Sequence, residues 1–478
     1  MLFNSISFLI FLPIVFCLYW FVANRNLKLQ NLLLLVSSYY FYACWNWKFL
    51  FLLIFSTFLD YFSGLQIAKA ETRGLRKLWL WISIAINLGF LGFFKYYNFF
   101  AESFAEAISH IGFEVSPWTL SVILPVGISF YTFHGLSYVI DIYYKKIKPE
   151  VNFINYSVFV SFFPLLVAGP IERATHLLPQ IKEKRTFNYL NAVDGLRQIL
   201  WGLFKKIVIA DSCADLVNTI FNDYSAYSGS TLALGAILFA FQIYGDFSGY
   251  SDIAIGTARL FGIELLRNFA FPYFSRNIAE FWRRWHISLS SWFRDYVYIP
   301  LGGSRVNKAM KVRNIFVIFL ISGFWHGANW TFIIWGLINA LLILPSILLK
   351  TNRNHLEIVA QGRYLPTAKE FLSVCLTFGL TVFAWIFFRS ENLSDALNYI
   401  SLIFSHSLFT RPFVTPKVLF LLLAIFVVIE WIGREQPYAI AHIGFKWPKI
   451  FRWAGYYILV FAIAYFAGSE QQFIYFQF

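Results

Sequence analysis

Residues 314–349 read NIFVIFLISGFWHGANWTFIIWGLINALLILPSILL, 36 consecutive positions without Asp, Glu, Lys or Arg. As one continuous helix this stretch would be about 54 Å long, against a bilayer hydrocarbon core of about 30 Å. It is too apolar for water and too long for one crossing. The segment therefore belongs in a membrane and must break. SGFWHGANW at 322–330 supplies two helix-weakening glycines, Gly323 and Gly327, at which to do so. The break puts His326 inside the bilayer, where interrupted helices normally line a cavity.

Working outward, further charge-free runs cover 1–24, 29–47, 78–94, 115–140, 151–171, 225–245, 371–388 and 453–469. Only 13% of the 478 residues are charged and 59% are apolar, where a soluble domain carries about 25% charged residues. The chain is an all-α polytopic membrane protein. A transmembrane β-barrel would show short alternating strands instead. The net charge of +14 comes from Lys and Arg set between apolar runs, as topology signals are, and does not point to nucleic acid. The first segment has no basic n-region and no small-residue cleavage site, so it reads as a retained helix. Cys17, Cys44, Cys213 and Cys375 are far apart and form no C-x-x-C pair.

Loop charge gives an orientation for the N-terminal third. Arg25 and Lys28 follow the first run, only Lys48 follows the second, and Lys69, Arg73, Arg76 and Lys77 precede the run 78–94. Between that cluster and Lys145, Lys146 and Lys148 lies a loop with Glu102, Glu106 and Glu114. This alternation places the N-terminus outside the cytoplasm. Run 151–171 breaks the pattern, because basic residues flank both of its ends and it contains Pro164; a re-entrant segment fits. From 265 to 313 there are nine Lys or Arg against Glu280 and Asp295, and FWRRWHISLSSWF reads as amphipathic helix lying in the membrane surface. Counting gives 11–12 crossings in one integral domain, 1–478, with no internal repeat.

Ionisable groups within a membrane are costly, which makes each a candidate functional residue. His326 is alone in its 36-residue run. It serves either as an interhelical hydrogen-bond partner or as a general base whose pKa lies near working pH. His286, beside Arg283 and Arg284, belongs either to a basic interfacial helix or to an anion-facing mouth, since Arg forks suit phosphates. YIPLGGSR adds a Gly pair with Ser304 and Arg305, a weak phosphate-cradle signal. Asp246 and Asp252 in YGDFSGYSD form a structural polar cluster or part of a substrate path. His134 reads as a packed core histidine. No dense His/Glu set suggests a metal, and no G-x-S-x-G nucleophile elbow occurs. The terminal FIYFQF is aromatic, like an interfacial belt, and carries one hydroxyl, Tyr475.

RRWHISLSSWFRDYVYIPLGGSR, SGFWHGANWTFIIWG, LPVGISFYTFHGLSYVIDIYY, AGPIERATHLLPQ and YGDFSGYSDIAIG together resemble the membrane-bound O-acyltransferases, closest to the bacterial alginate O-acetylation branch. The resemblance covers nearly the whole chain. It implies that His326 is the essential histidine and His286 the second functional histidine, and that His134 stands at a position where the family has other polar residues. It also implies an activity in which an acyl group passes from a cytoplasmic thioester, acetyl-CoA or an acyl carrier protein, to an exported polysaccharide. An extracytoplasmic partner of the Ser-Gly-Asn-His hydrolase type finishes the transfer. The same resemblance makes Tyr475 a candidate acyl acceptor, implies no bound cofactor, and sets the protein in a bacterial inner membrane. Arg283, Arg284, Ser304 and Arg305 would then receive the donor. The rival class is a polysaccharide or lipid transporter without covalent chemistry, which would more often show inverted repeats.

Overall fold

The computed structural model describes residues 1–113, 116–468, 471, 473 and 474. Among them every regular element is helical, and the chain divides into two compact units, Met1–Ala192 with Ala258–Leu266, and Val193–Thr257 with Arg267–Phe478. Among the described residues, seven helices are long and apolar enough to cross a membrane. The sequence reading counts 11–12 crossings, more than these seven.

In the first unit, α1 (Ile6–Cys17) starts at Ser5, whose hydroxyl accepts from the Phe8 amide, and its apolar run continues to Arg25. Helix α2 (Leu27–Lys69) would be about 64 Å long if straight. A non-helical residue, Asn46, kinks it, which makes room for two crossings. Then come α3 (Arg73–Leu91), α4 (Tyr97–Ser109) and α5 (Ile128–Tyr143). Asp60 of α2 is buried, and its carboxylate accepts from Ser83 Oγ at 2.6 Å and Asn87 Nδ2 at 2.8 Å on α3. Such side-chain bonds join helices where apolar packing alone gives no preference over lipid.

The expected re-entrant stretch forms α6 (Phe153–Ser161) and α7 (Phe163–Leu166), too short to span, with a break at Phe162 ahead of Pro164. Residues 156–172 are all buried, the condition under which irregular backbone is tolerated at membrane depth. His134 Nε2 accepts from the Glu172 amide at 3.1 Å, so this histidine pins the turn that follows. The Glu172 carboxylate then meets His176 Nδ1, on α8 (Ala174–Lys182), at 2.8 Å.

Helix α9 (Tyr189–Leu203) leads into the second unit and runs on as a π-helical stretch, Phe204–Asp211, before α10 (Ser212–Asn222) and α11 (Gly229–Leu260). Residues 278–293 depart from the expected surface helix. They form two seven-residue helices, α12 (Ile278–Arg284) and α13 (Ile287–Phe293), separated by His286 in the left-handed region (φ 43°). Phe281, Trp285, Leu289, Trp292 and Phe293 are buried, not spread on a surface. Aromatic packing accounts for the difference: the Trp285 ring lies 5.0 Å from those of Phe269 and Trp385.

The 36-residue run breaks where the glycines suggest, but as a full reversal. Helix α14 (Lys308–His326) is capped by Asn307 and α15 (Trp330–Leu348) by Asn329, with extended Gly327 between them. A Cβ on Gly323 would lie 2.2 Å from the Phe332 carbonyl oxygen, and one on Gly336 would lie 2.4 Å from that of Phe319. Only glycine lets the two backbones approach this closely. Helices α16 (Ala368–Arg389), α17 (Leu393–Ile403), α18 (Lys417–Ile432) and α19 (Lys449–Phe466) complete the unit.

Candidate active site

The hairpin turn puts His326 at the end of α14, and the left-handed turn puts His286 at the start of α13. Their ring centroids are 6.5 Å apart. Both are buried. Trp325, Trp335 and Phe388 surround His326 at 5.0, 5.1 and 5.4 Å. Phe247 meets His286 edge-on at 4.6 Å. Forty residues of sequence separate the two imidazoles, yet they lie within one cluster of packed aromatic rings.

Asn268 sets the state of His286. Its Oδ1 accepts from Ser288 Oγ at 2.9 Å, while its Nδ2 donates to Ser251 Oγ at 3.2 Å. The same Oδ1 lies 3.0 Å from His286 Nδ1, so Nδ1 must carry the proton and donate. The lone pair then sits on Nε2, which is buried and has no hydrogen-bond partner among the described residues. His286 lies outside any membrane-length helix, and burial pushes its imidazole down to about 3. It is therefore neutral at ordinary pH, with Nε2 able to accept a proton.

Of the four residues expected to receive the donor, Arg283 and Arg284 are engaged within the fold. Arg283 donates to the carbonyls of Asn352 and His355 at 2.5 and 2.6 Å. Arg284 pairs with Glu280 at 2.8 Å. Both guanidiniums thus tie α12 to its surroundings instead of standing open as an anion-facing pair. Ser304 and Arg305 lie on an exposed turn whose Leu301 and Gly303 carbonyls accept from Asn314 Nδ2.

Asp246 and Asp252 prove to be ion-paired. Lys205 Nζ lies 2.5 Å from Asp252 and Lys206 Nζ 2.7 Å from Asp246. The lysines come from the π-helical stretch and the aspartates from α11. Neither these lysines nor Asn268 belong to a motif that names a role, although two adjacent lysines in the apolar LFKKIVIA at 203–210 are a visible signal of buried charge. Asp246 also accepts from the Ile474 amide at 2.7 Å, and Phe473 packs 4.8 Å from Tyr250 and 6.1 Å from Phe247. One phenylalanine ring, Phe247, thus touches both the tail and His286. Tyr475 itself lies outside the described residues.

Asn268 and Ser251 also line a small polar cavity of about 20 Å³, bordered by Lys205, Asp252 and Glu430. That is room for about one water molecule. A larger, apolar groove of about 490 Å³ between α16 and α18 contains neither histidine. Among the described residues, no group of three His, Cys, Asp or Glu side chains is placed to hold a metal ion.

Residues 143–388, just over half of the chain and spanning both histidines, match the family model for membrane-bound O-acyltransferases. The chain belongs to that family. It is 38% identical to the probable alginate O-acetylase of Pseudomonas aeruginosa, over 92% of this chain and 82% of that one. Against the peptidoglycan O-acetyltransferase of Helicobacter pylori it is 39% identical, over 83% of this chain and 78% of the relative. A more distant match is the teichoic acid D-alanyltransferase of Bacillus subtilis, 29% identical over 56% of this chain and 69% of the relative. The protein is a multi-pass membrane O-acyltransferase, and the transporter reading without covalent chemistry gives way to it.

Proposed function

We propose that this O-acyltransferase takes an acetyl group from a cytoplasmic thioester and passes it to a hydroxyl destined for an exported cell-envelope polysaccharide. The observation that carries the proposal is the buried pair His286 and His326, side by side within one aromatic cluster, with the tautomer of His286 held by Asn268. The relatives' names point the same way, since they name O-acetylation of alginate and of peptidoglycan and D-alanylation of teichoic acid. Alginate itself is one candidate acceptor, acetyl-CoA or an acyl carrier protein the donor, and a bacterial inner membrane the setting.

In this reaction a hydroxyl oxygen attacks the thioester carbonyl and forms the ester bond while the carbon–sulfur bond breaks. An imidazole, His326 in our assignment, takes the hydroxyl proton and returns it to the departing thiolate. His286 Nε2 is placed to accept a hydrogen bond from the reacting groups. The aromatic walls exclude water that would otherwise hydrolyse the thioester.

Tyr475 is our candidate first acceptor. A free phenol has a pKa of about 10, so it needs an adjacent base to attack at neutral pH. Its ester would be activated, because phenolate leaves more readily than an alkoxide. Attack by a sugar hydroxyl, assisted by a hydrolase-type extracytoplasmic partner, would then release the phenol and move the acetyl group onward. Supporting this role, Phe473 and Ile474 are held beside Phe247 and Asp246.

The test is incubation of the purified protein with acetyl-CoA radiolabelled in the acetyl group, followed by peptide mapping. Label on Tyr475, absent in Tyr475→Phe and in His326→Ala, is the expected result. His286→Ala should lower the rate and alter donor saturation. Normal polysaccharide acetylation in a Tyr475→Phe strain would remove the relay, and normal acetylation in a well-expressed His326→Ala strain would remove the assigned base.

A further inference from the structure

At the far end of the apolar run that begins with α1, the first unit contains a polar cavity of about 330 Å³ that the acyl-transfer reading does not use. Three cations line it, Lys184, Arg185 and Arg259, against one carboxylate, Glu183. Arg259 also pairs with Glu264 at 3.0 Å, and the local balance remains positive. Asn188 and Asn191 border the same space, where α9 begins.

Arg185 is the informative residue. It is only 5% exposed. Its guanidinium donates to the carbonyls of Gln180 and Ile181 and to Asn31 Oδ1, all of them neutral acceptors. Among the described residues no carboxylate pairs with it, and its Nε has no hydrogen-bond partner. A buried cation without a counter-anion is costly. The 15-residue helix α9 adds its N-terminus, with Asn188 Oδ1 accepting the Asn191 amide at 3.1 Å, and helix N-termini favour anions.

We infer that this cavity is a binding site for a phosphate group. Guanidinium and phosphate match in geometry and charge, and a helix N-terminus completes a mixed backbone and side-chain cradle. The surroundings favour the headgroup of an anionic phospholipid as the source. Trp20, on the membrane-length run 6–25, forms one wall, and Phe21, Tyr189 and Leu190 are strongly exposed beside it. Apolar side chains flanking a cationic pocket suit a molecule with acyl chains below its phosphate.

The test uses the full chain in a phosphate-free maltoside detergent. Its melting temperature is followed while inorganic phosphate, glycerol 1-phosphate or phosphatidylglycerol is added, with sodium chloride at matched ionic strength as the control. The expected result is a saturable rise beyond the chloride control. Because Arg185 also bonds within the fold, the variant of choice is Thr186→Glu, which sets a negative charge on an exposed residue lining the cavity. It should raise the titration midpoint about tenfold while leaving the ligand-free melting temperature near that of the parent. A response to phosphatidylglycerol alone supports the lipid headgroup, and a response to the soluble phosphates as well supports an open phosphate site. Absence of a saturable rise with any of the three, or an unchanged midpoint in Thr186→Glu, overturns the site.

Discussion

Asn268 decides which nitrogen of His286 is basic, so its substitution separates positioning from packing. Asn268→Leu removes the acceptor and leaves the tautomer unset; we expect transfer to fall about tenfold to hundredfold, as for other groups that orient a reactive histidine. Asn268→Asp keeps an acceptor for Nδ1–H and adds a charge that favours the imidazolium. The acid limb of its pH–rate profile should therefore move to higher pH, because His286 must be neutral for its Nε2 to accept a hydrogen bond. Equal losses in both variants with an unmoved profile would reduce Asn268 to a packing residue. His176 offers a second titration, away from the site. Its hydrogen bond to buried Glu172 raises its pKa above the usual value of 6.5. The folded value lies above the unfolded one, so the contribution is fully present below about pH 6.5 and is lost as pH rises through the folded value. The ring is partly exposed, which keeps the effect under about 1 kcal/mol. Melting temperatures of the parent and His176→Gln should differ more at pH 6 than at pH 9. A difference independent of pH would contradict the pairing. His326 is legible as a site residue because nothing else in its run titrates. Asn268 is not, since a lone asparagine in the segment LLRNFAF has no sequence pattern that distinguishes a tautomer-setting role from a turn.

Among the elements, the α14–α15 hairpin positions the proposed base most directly. Its turn begins just after His326, and Gly323 and Gly336 set how closely the two backbones pack. Gly323→Ala pushes a methyl group against the Phe332 carbonyl, where no flexible side chain can yield. A cost of about 1–3 kcal/mol follows from overpacking of this kind, together with loss of transfer as His326 moves. Gly455→Ala on α19 is the control, because nothing lies within 4 Å of the added Cβ. Melting temperature and acyl transfer measured on the same preparations decide it: a Gly323→Ala protein as stable and active as Gly455→Ala would mean that the crossing tolerates separation. That the run must break is evident from length alone. That the break is a reversal is not, since charge-free length is the same for one interrupted helix and for two antiparallel ones. The seven-residue helices around His286 are hidden for a related reason. Apolar and basic residues alternate there as on a membrane-surface helix, and only the aromatic partners Phe269 and Trp385, distant in sequence, draw the stretch inward.

For the whole molecule, membrane class and family can be read directly from repeated charge-free runs and the tryptophan–histidine motifs, whereas orientation rests on loop charge. The first unit sharpens that argument. Arg76, near the start of α3, donates to the Tyr143 carbonyl at 2.6 Å, and its guanidinium lies 5.5 Å from the Tyr143 ring centre. The basic cluster at 69–77 and the one at 145–148 therefore share one end of this unit, as they must if both obey the same charge rule. Helix order agrees, because α3 leaves that end and α5 returns to it. Because positive residues favour the cytoplasmic side, we predict Arg73 and Lys146 inside and, counting back through the kinked α2 and α1, the N-terminus outside. Single cysteines at 73 and at 146, in a chain whose four native cysteines are replaced by serine, should resist a membrane-impermeant maleimide in intact cells and react once the membrane is opened. Labelling of both from outside would invert the orientation and with it the side proposed for the thioester donor. Labelling of only one would contradict the Arg76–Tyr143 contact, and hence the packing of α3 against α5.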